Sequence, residues 1–156
     1  MASNAGLTTS AQPGEHFGFQ LAIVNVMGTA PLIITAVSFS DLKDAAGQTI
    51  PASAASCMNT EGSDFWGRDF KIDRVVVPAG EVKSLWVKLV VPSSAAAGTF
   101  RGTAHTTAGG HTVSTPIALS IAGPALENGG DDDIERGTRI HWFDSKVGLA
   151  DDTGAI

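Results

Sequence analysis

The residues best suited to chemistry lie in one short stretch that contains Glu61, Asp64, Trp66 and Asp69. A glycosidase places two carboxyl groups about 5–10 Å apart across the scissile bond and raises the pKa of one of them. Sequence spacing alone does not establish that separation, so we assign no catalytic residue. An indole ring can stack on a sugar while a carboxylate accepts hydroxyl hydrogen bonds. We therefore predict Asp64 and Trp66 as carbohydrate contacts, against the alternative of solvated carboxylates that cap turns.

A second acidic group follows near the C-terminal end of the sequence, where Asp131 and Asp133 belong to a run of three aspartates. Carboxylate oxygens are the ligands that Ca²⁺ prefers. The run lacks the residue order of an EF-hand loop, which favours a solvated linker. Asp131 and Asp133 remain weak calcium candidates, and no cofactor is predicted.

The four histidines are scattered without the spacing of a metal site. His105 and His111 flank a Gly-Gly turn and are expected to form a surface pair across a hairpin. The sequence contains no G-x-S-x-G nucleophile motif and no P-loop or G-x-G-x-x-G motif. We therefore expect no enzymatic activity from this chain alone.

Alternating apolar residues dominate the middle of the chain and predict strands rather than helices. The predicted strands are 15–26, 32–39, 71–77, 82–91, 99–107 and 111–121, separated by turns rich in Gly and Pro. The stretch 57–70 has no strong period and is expected to be a long loop or a pair of short strands. This pattern predicts an all-β fold, an antiparallel β-sandwich of Ig-like or jelly-roll-like type.

Trp86 stands out within the strand predicted for residues 82–91. It falls on the face opposite Leu85, Val87 and Leu89, which places a large ring on the nominally outer face. Such a ring is expected either to pack under a loop or to be covered by a neighbouring domain. We predict Trp86 as an interface residue.

The negative charge of the chain is concentrated in its C-terminal part. The whole chain has a net charge of −6, and residues 127–156 contain eight acidic and three basic side chains. We expect a leader without ordered structure at 1–14, a sandwich at 15–124, and an acidic linker with the start of a following domain at 125–156. The near-neutral charge of the sandwich disfavours electrostatic binding to nucleic acid or to an anionic membrane. No signal peptide is recognised in the chain.

Several motifs point to one family. The segments VPAG (77–80), SLWVKLVVP (84–92) and AAAGTFRGT (95–103) are shared by many Ig-like domains of extracellular enzymes. The entry QPGEHFGFQ (12–20), the loop CMNTEGSD (57–64) and the exit RIHWFDS (139–145) add specificity. Together they resemble the N-terminal β-sandwich region of glycoside hydrolase family 123-like proteins.

The resemblance implies an accessory role beside a larger catalytic region. We expect a non-catalytic domain that docks on or shapes a downstream carbohydrate-active domain of the same polypeptide, in a secreted parent protein that is a glycoside hydrolase. Two alternatives stay open. One is an independent carbohydrate-binding module with Trp66 and Trp142 as stacking platforms, and the other is an Ig-like structural or adhesion spacer.

Overall fold

The computed structural model describes residues 6–64 and 66–127, whose regular structure is almost entirely β-strand. The strands are β1 (Leu7–Ala11), β2 (His16–Val24), β3 (Leu32–Phe39), β4 (Leu42–Lys43), β5 (Thr49–Ile50), β6 (Ala55–Cys57), β7 (Glu61–Ser63), β8 (Asp69–Lys71), β9 (Val75–Val77), β10 (Val82–Val90), β11 (Gly98–Ala108) and β12 (His111–Ile121). One short 3₁₀ helix spans Ala52–Ala54. No helix in the described ranges has the length and apolar character needed to cross a bilayer.

The strands form three sheets. The largest has the order β1-β12-β11-β3-β9. In addition, β4 pairs with β11, and β5 pairs with β4. It is a mixed sheet, because β1 runs parallel to β12 whereas the other pairs are antiparallel. A second sheet has the order β2-β10-β6, and β7 pairs with β8 in a separate hairpin.

The inward faces of the two larger sheets supply one buried apolar cluster. Side chains alternate along each strand, so that β10 buries Leu85, Val87 and Leu89 while the residues between them face outward. Phe19 of β2 and Phe100 of β11 belong to the same cluster. No polar or charged side chain is buried among the described residues. The fold is therefore all-β, as the alternating pattern predicts.

The β11–β12 hairpin follows the predicted turn chemistry. Gly109 and Gly110 adopt φ values of 56° and 78°, which the tightest two-residue hairpin turn requires and which residues with a Cβ rarely adopt. Pro116 lies just before Ile117, where pairing with β1 begins. Its missing N–H therefore falls on a stretch of β12 with no second neighbour among the described residues, where a proline removes no ladder hydrogen bond.

The N-terminal region differs from the expected leader. Leu7–Ala11 forms β1, in register with Ile117–Ile121. Its sequence LTTSA is short and mostly polar, and it becomes a strand through backbone hydrogen bonds to a distant segment. The acidic linker and following domain expected at 125–156 lie, from residue 128 onward, outside the described residues.

Candidate functional site

The irregular stretch between residues 57 and 70 contains the β7–β8 hairpin, the second of the two forms expected for it. Glu61 lies opposite Lys71, and Ser63 lies opposite Asp69. The Ser63 hydroxyl donates a hydrogen bond of 2.9 Å to Asp69 Oδ1. These charged side chains are exposed, and they line an open depression on the hairpin.

Asp64 holds the tip of this hairpin together. Its Oδ1 accepts hydrogen bonds from the backbone N–H groups of Trp66 and Arg68, both at 2.9 Å. Its Oδ2 accepts a hydrogen bond from Arg68 Nε at 2.9 Å and lies 2.8 Å from Arg68 Nη2. Both carboxylate oxygens are thus engaged within the turn.

The electrostatics of Asp64 favour its ionised form. The Arg68 backbone N–H is the main cause that lowers the pKa of this carboxyl, partial desolvation opposes the shift, and the Arg68 side chain and Trp66 N–H reinforce it. A lowered pKa is the reverse of what a glycosidase general acid needs. The geometry therefore gives Asp64 a turn-forming role, while a sugar contact through it stays a prediction.

Trp66 projects from the same tip. Its side chain is 73% exposed. The guanidinium carbon of Arg68 lies 4.8 Å from the centre of its ring, within the range of a cation–π contact. Asp64, Trp66 and Arg68 thus form a small, locally ordered group.

Trp86 lies in a different setting, at the centre of the β2-β10-β6 sheet. It faces outward opposite Gln20 of β2 and is 47% exposed. Met58, which follows the buried Cys57, donates its N–H to the Trp86 carbonyl at 2.8 Å and is 45% exposed. By alternation both side chains lie on the same outward surface, which we call the Trp86 face and define by Trp86, Met58, Gln20 and Lys88.

A side chain from the turn after β6 supports this face. Asn59 Oδ1 accepts a hydrogen bond from the Trp86 backbone N–H at 2.5 Å. Asn59, Met58 and Arg68 were not predicted from the sequence as site residues. An Asn beside short strands is a signal for such side chain-to-backbone bonding, and an Asp followed four residues later by an Arg is a signal for a local ion pair.

The remaining predictions concern Trp142, the two calcium candidates and the histidine pair. Trp142, Asp131 and Asp133 lie outside the described residues. The expected cross-strand pairing of the two histidines is wrong, because the register puts His105 opposite Ser114 and His111 opposite Ala108. His105 Nδ1 lies 2.9 Å from Ser114 Oγ instead. Within residues 6–64 and 66–127, no three His, Cys, Asp or Glu side chains are grouped to hold a metal ion.

The chain is similar in structure to a family 123 glycoside hydrolase from Clostridium perfringens that acts in glycolipid glycan hydrolysis. The TM-score is 0.59 at 14% sequence identity, over 79% of this chain and 24% of that one. This likeness concerns the fold alone, and the chain spans about a quarter of the hydrolase's length. No protein-family model and no curated protein matches the sequence.

Two further solved structures show weaker likeness. The CupB6 tip adhesin of Pseudomonas aeruginosa aligns over 81% of this chain and 42% of its own with a TM-score of 0.31 and 13% identity. The C-terminal domain of the AgI/II polypeptide BspA from Streptococcus agalactiae aligns over 76% of this chain and 46% of its own, with a TM-score of 0.26 and 11% identity.

Proposed function

We propose that this chain is a non-catalytic, Ig-like β-sandwich of mostly antiparallel strands that docks on a downstream carbohydrate-active catalytic domain of the same polypeptide. The exposure of Trp86 at the centre of the smaller sheet carries the proposal. The fold likeness to one quarter of a family 123 glycoside hydrolase supports it, because the remaining length of that enzyme is available for a catalytic region.

The sandwich assignment rests on where the core lies. The β2-β10-β6 sheet and the larger sheet each turn one apolar face toward the shared cluster, and both contribute fully buried side chains such as Leu85 and Phe100. Two sheets that share one core in this way are the defining feature of a sandwich. The parallel β1–β12 pair at the sheet edge is compatible with an Ig-like arrangement of strands.

The docking role rests on the chemistry of the Trp86 face. Trp86 and Met58 present apolar side chains, while Gln20 and Lys88 beside them are polar. In protein interfaces, aromatic residues surrounded by a polar rim often contribute most of the binding free energy. Asn59 fixes the backbone behind the indole, so the ring is presented from a rigid support.

The test compares this chain with the polypeptide that its reading frame encodes beyond Ile156. Both are labelled with 5-fluorotryptophan, and the ¹⁹F solvent-isotope shift of each ring reports its contact with water. We expect the shift of Trp86 to be large in the chain and largely lost in the longer polypeptide. Trp66, exposed on the separate hairpin, serves as the internal control and is expected to keep its shift.

Two results would overturn the docking proposal. One is a reading frame that stops at Ile156 and the other is an unchanged Trp86 shift in the longer polypeptide. Resonances are assigned with Trp86→Phe and Trp66→Phe variants, each checked for folding by circular dichroism.

An independent carbohydrate-binding module is the second candidate, favoured by the 73% exposure of Trp66 on an ordered turn. Calorimetric titration of the chain with soluble glycolipid-type glycans tests it. Binding that Trp66→Ala abolishes and Trp86→Ala retains would support a binding module. Absence of heat with every glycan would leave docking as the better-supported role.

A further inference from the structure

Strand β2 is an edge strand with a regular pattern of backbone groups. In the structure's described part it pairs only with β10. The Asn25 N–H donates to the Glu81 carbonyl at 2.9 Å, and the Val91 N–H donates to the Glu15 carbonyl at 2.9 Å. Because an antiparallel ladder alternates strictly, the odd-numbered residues of β2 bond to β10 and the even-numbered ones face the other way.

The even-numbered residues from Gly18 to Val24 therefore present unpaired backbone groups along the open edge. In the described ranges, the N–H and carbonyl groups of Gly18, Gln20, Ala22 and Val24 have no backbone hydrogen-bond partner. All four residues are exposed. A row of this kind is a template for a further strand.

The edge of β2 also lacks the features that protect other edges. The segment 16–24 contains no Lys, Arg, Asp, Glu or Pro, and its register with β10 runs without a bulge. The open stretch of β12 is guarded by Pro116, and the edge strands β6 and β9 have only three residues each. Among the described edges, β2 combines the greatest length with the weakest protection.

We propose that β2 pairs antiparallel with β2 of a second copy of this chain, about a two-fold axis at Gln20. With the axis at this central residue, residues 17–23 of the two copies lie opposite each other. Gln20 then faces Gln20 of the second copy, and Gly18 faces its Ala22. These are even-numbered residues, so the open N–H and carbonyl groups of the two copies meet each other.

Side chains in this register are compatible on both faces. On the outer face the small Gly18 and Ala22 lie opposite each other, so no bulky contact separates the strands. On the inner face Phe19 meets Leu21, and the half-buried Phe17 meets the half-buried Ile23 of the second copy. Apolar cross-strand pairs of this kind stabilise a sheet.

A shifted register and a charged foreign strand fit this edge less well than a second copy of β2. A shift by one residue would oppose even-numbered residues to odd-numbered ones, whose backbone groups already bond to β10. A charged foreign strand gains no electrostatic attraction, because segment 16–24 carries no Asp, Glu, Lys or Arg. Two-fold pairing consumes the open edge of both copies, so it closes at a dimer with a continuous six-stranded sheet. The inference concerns the backbone edge of β2, whereas the docking role concerns the outward side chains of the Trp86 face; Gln20 belongs to both, and only the edge pairing uses its backbone groups.

The experiment places charges on the proposed axis. In Gln20→Lys and in Gln20→Glu, like charges would face each other directly, whereas an equimolar mixture of the two would bring opposite charges together. Sedimentation equilibrium of the full chain is measured over a wide concentration range. Gln48→Lys, at an exposed position in the β4–β5 turn, is the matched control.

We expect the wild-type chain and Gln48→Lys to shift from monomer to dimer with rising concentration. Each Gln20 variant is expected to weaken the dimer at least tenfold, and the mixture to restore it. Hydrogen exchange gives a second readout: amide protection at Gly18, Gln20, Ala22 and Val24 should rise with protein concentration.

Three outcomes would overturn the inference. They are a wild-type chain that stays monomeric up to its solubility limit, Gln20 variants that dimerise like the wild type, and variants whose mixture fails to recover the dimer. A dimer that is lost in Trp86→Ala and kept in Gln20→Lys would assign self-association to the Trp86 face and contradict pairing through β2. Thermal unfolding of every variant confirms that it is folded.

Discussion

The two exposed tryptophans of the described region are held by different means. Trp66 is ordered by Asp64 and Arg68, which lie within two residues of it in the sequence. Trp86 lies opposite Gln20 in the ladder, and its backbone N–H donates to Asn59, which is 27 residues away. The position of Trp66 therefore depends on a local turn, whereas the position of Trp86 depends on the β-sheet.

This difference separates what each tryptophan can do. A ring on a two-stranded hairpin can move with the hairpin, because such a unit has little stability of its own. A ring at the centre of a sheet inherits the rigidity of the core beneath it. The Trp86 face is therefore the better anchor for a domain contact, whereas Trp66 is the better probe of a local ligand.

The largest expected effect comes from the core under the Trp86 face. Leu85 is fully buried next to Trp86 in sequence, and Leu85→Ala should lower the free energy of unfolding by about 2–5 kcal/mol. Chemical denaturation measures this loss. Val82→Ala on the same strand removes a side chain that is 54% exposed and should change stability by less than about 1 kcal/mol. Equal losses would mean that β10 does not have the described inward and outward faces.

The next effect concerns the side chain that supports Trp86 from the turn. Asn59→Ala removes the acceptor of the Trp86 N–H and should cost about 1–2 kcal/mol of unfolding free energy. Asn59→Asp keeps an acceptor oxygen and should recover most of that loss. The expected spectroscopic sign is faster exchange of the Trp86 amide in Asn59→Ala alone. If both variants exchange equally fast, the hydrogen bond does not hold this amide.

A smaller global effect is expected at the hairpin. Asp64→Ala removes every hydrogen bond that the Asp64 carboxylate accepts in the turn, yet the hairpin pairs only with itself in the described structure. The midpoint of global unfolding should therefore hardly move, while the Trp66 signal in near-ultraviolet circular dichroism weakens. Asp73→Ala, at an exposed position after β8, is the control. A large loss of global stability would contradict the separation of the two regions.

The smallest effect is a pH dependence confined to the same turn. Because the folded state lowers the pKa of Asp64, the turn gains stability from the ionised form above the ordinary Asp pKa and loses it as the pH falls through the lowered value. A ¹³C carboxyl titration should place the Asp64 midpoint below the ordinary range. In Arg68→Gln the midpoint should rise only partly, since the main cause is the Arg68 backbone N–H. A midpoint in the ordinary range would show that the carboxylate does not hold the turn.

The strand pattern was predictable where alternation is long and strongly apolar. The boundaries expected for β3 and the inward face of β10 agree with the structure, because a period of two along eight or nine residues has few competing explanations. β1 was not predicted, since five mostly polar residues carry no such signal. The turn at Gly109-Gly110 was predictable, because a two-residue hairpin turn needs positive φ at both residues and glycine adopts positive φ readily.

The candidate site was predictable in part. The residues Asp64, Trp66 and Trp86 could be selected by type, and alternation put Trp86 on the outer face. The sequence alone did not show that Asp64 is engaged by its own turn, because hydrogen bonds of this kind depend on the backbone path of the hairpin. It also misplaced His105 and His111, because the two-residue turn at Gly109-Gly110 pairs Ala108 with His111 and puts His105 opposite Ser114.

The sequence by itself determined the all-β class, the faces of the long strands and the neutral, unguarded composition of β2. These properties follow from local periodicity and from the chemistry of the residues, and they do not depend on which strand lies alongside. The tertiary structure alone decided which strand lies at an edge and which tryptophan lies over the core. Those outcomes depend on pairing between segments far apart in the chain, which no local pattern encodes.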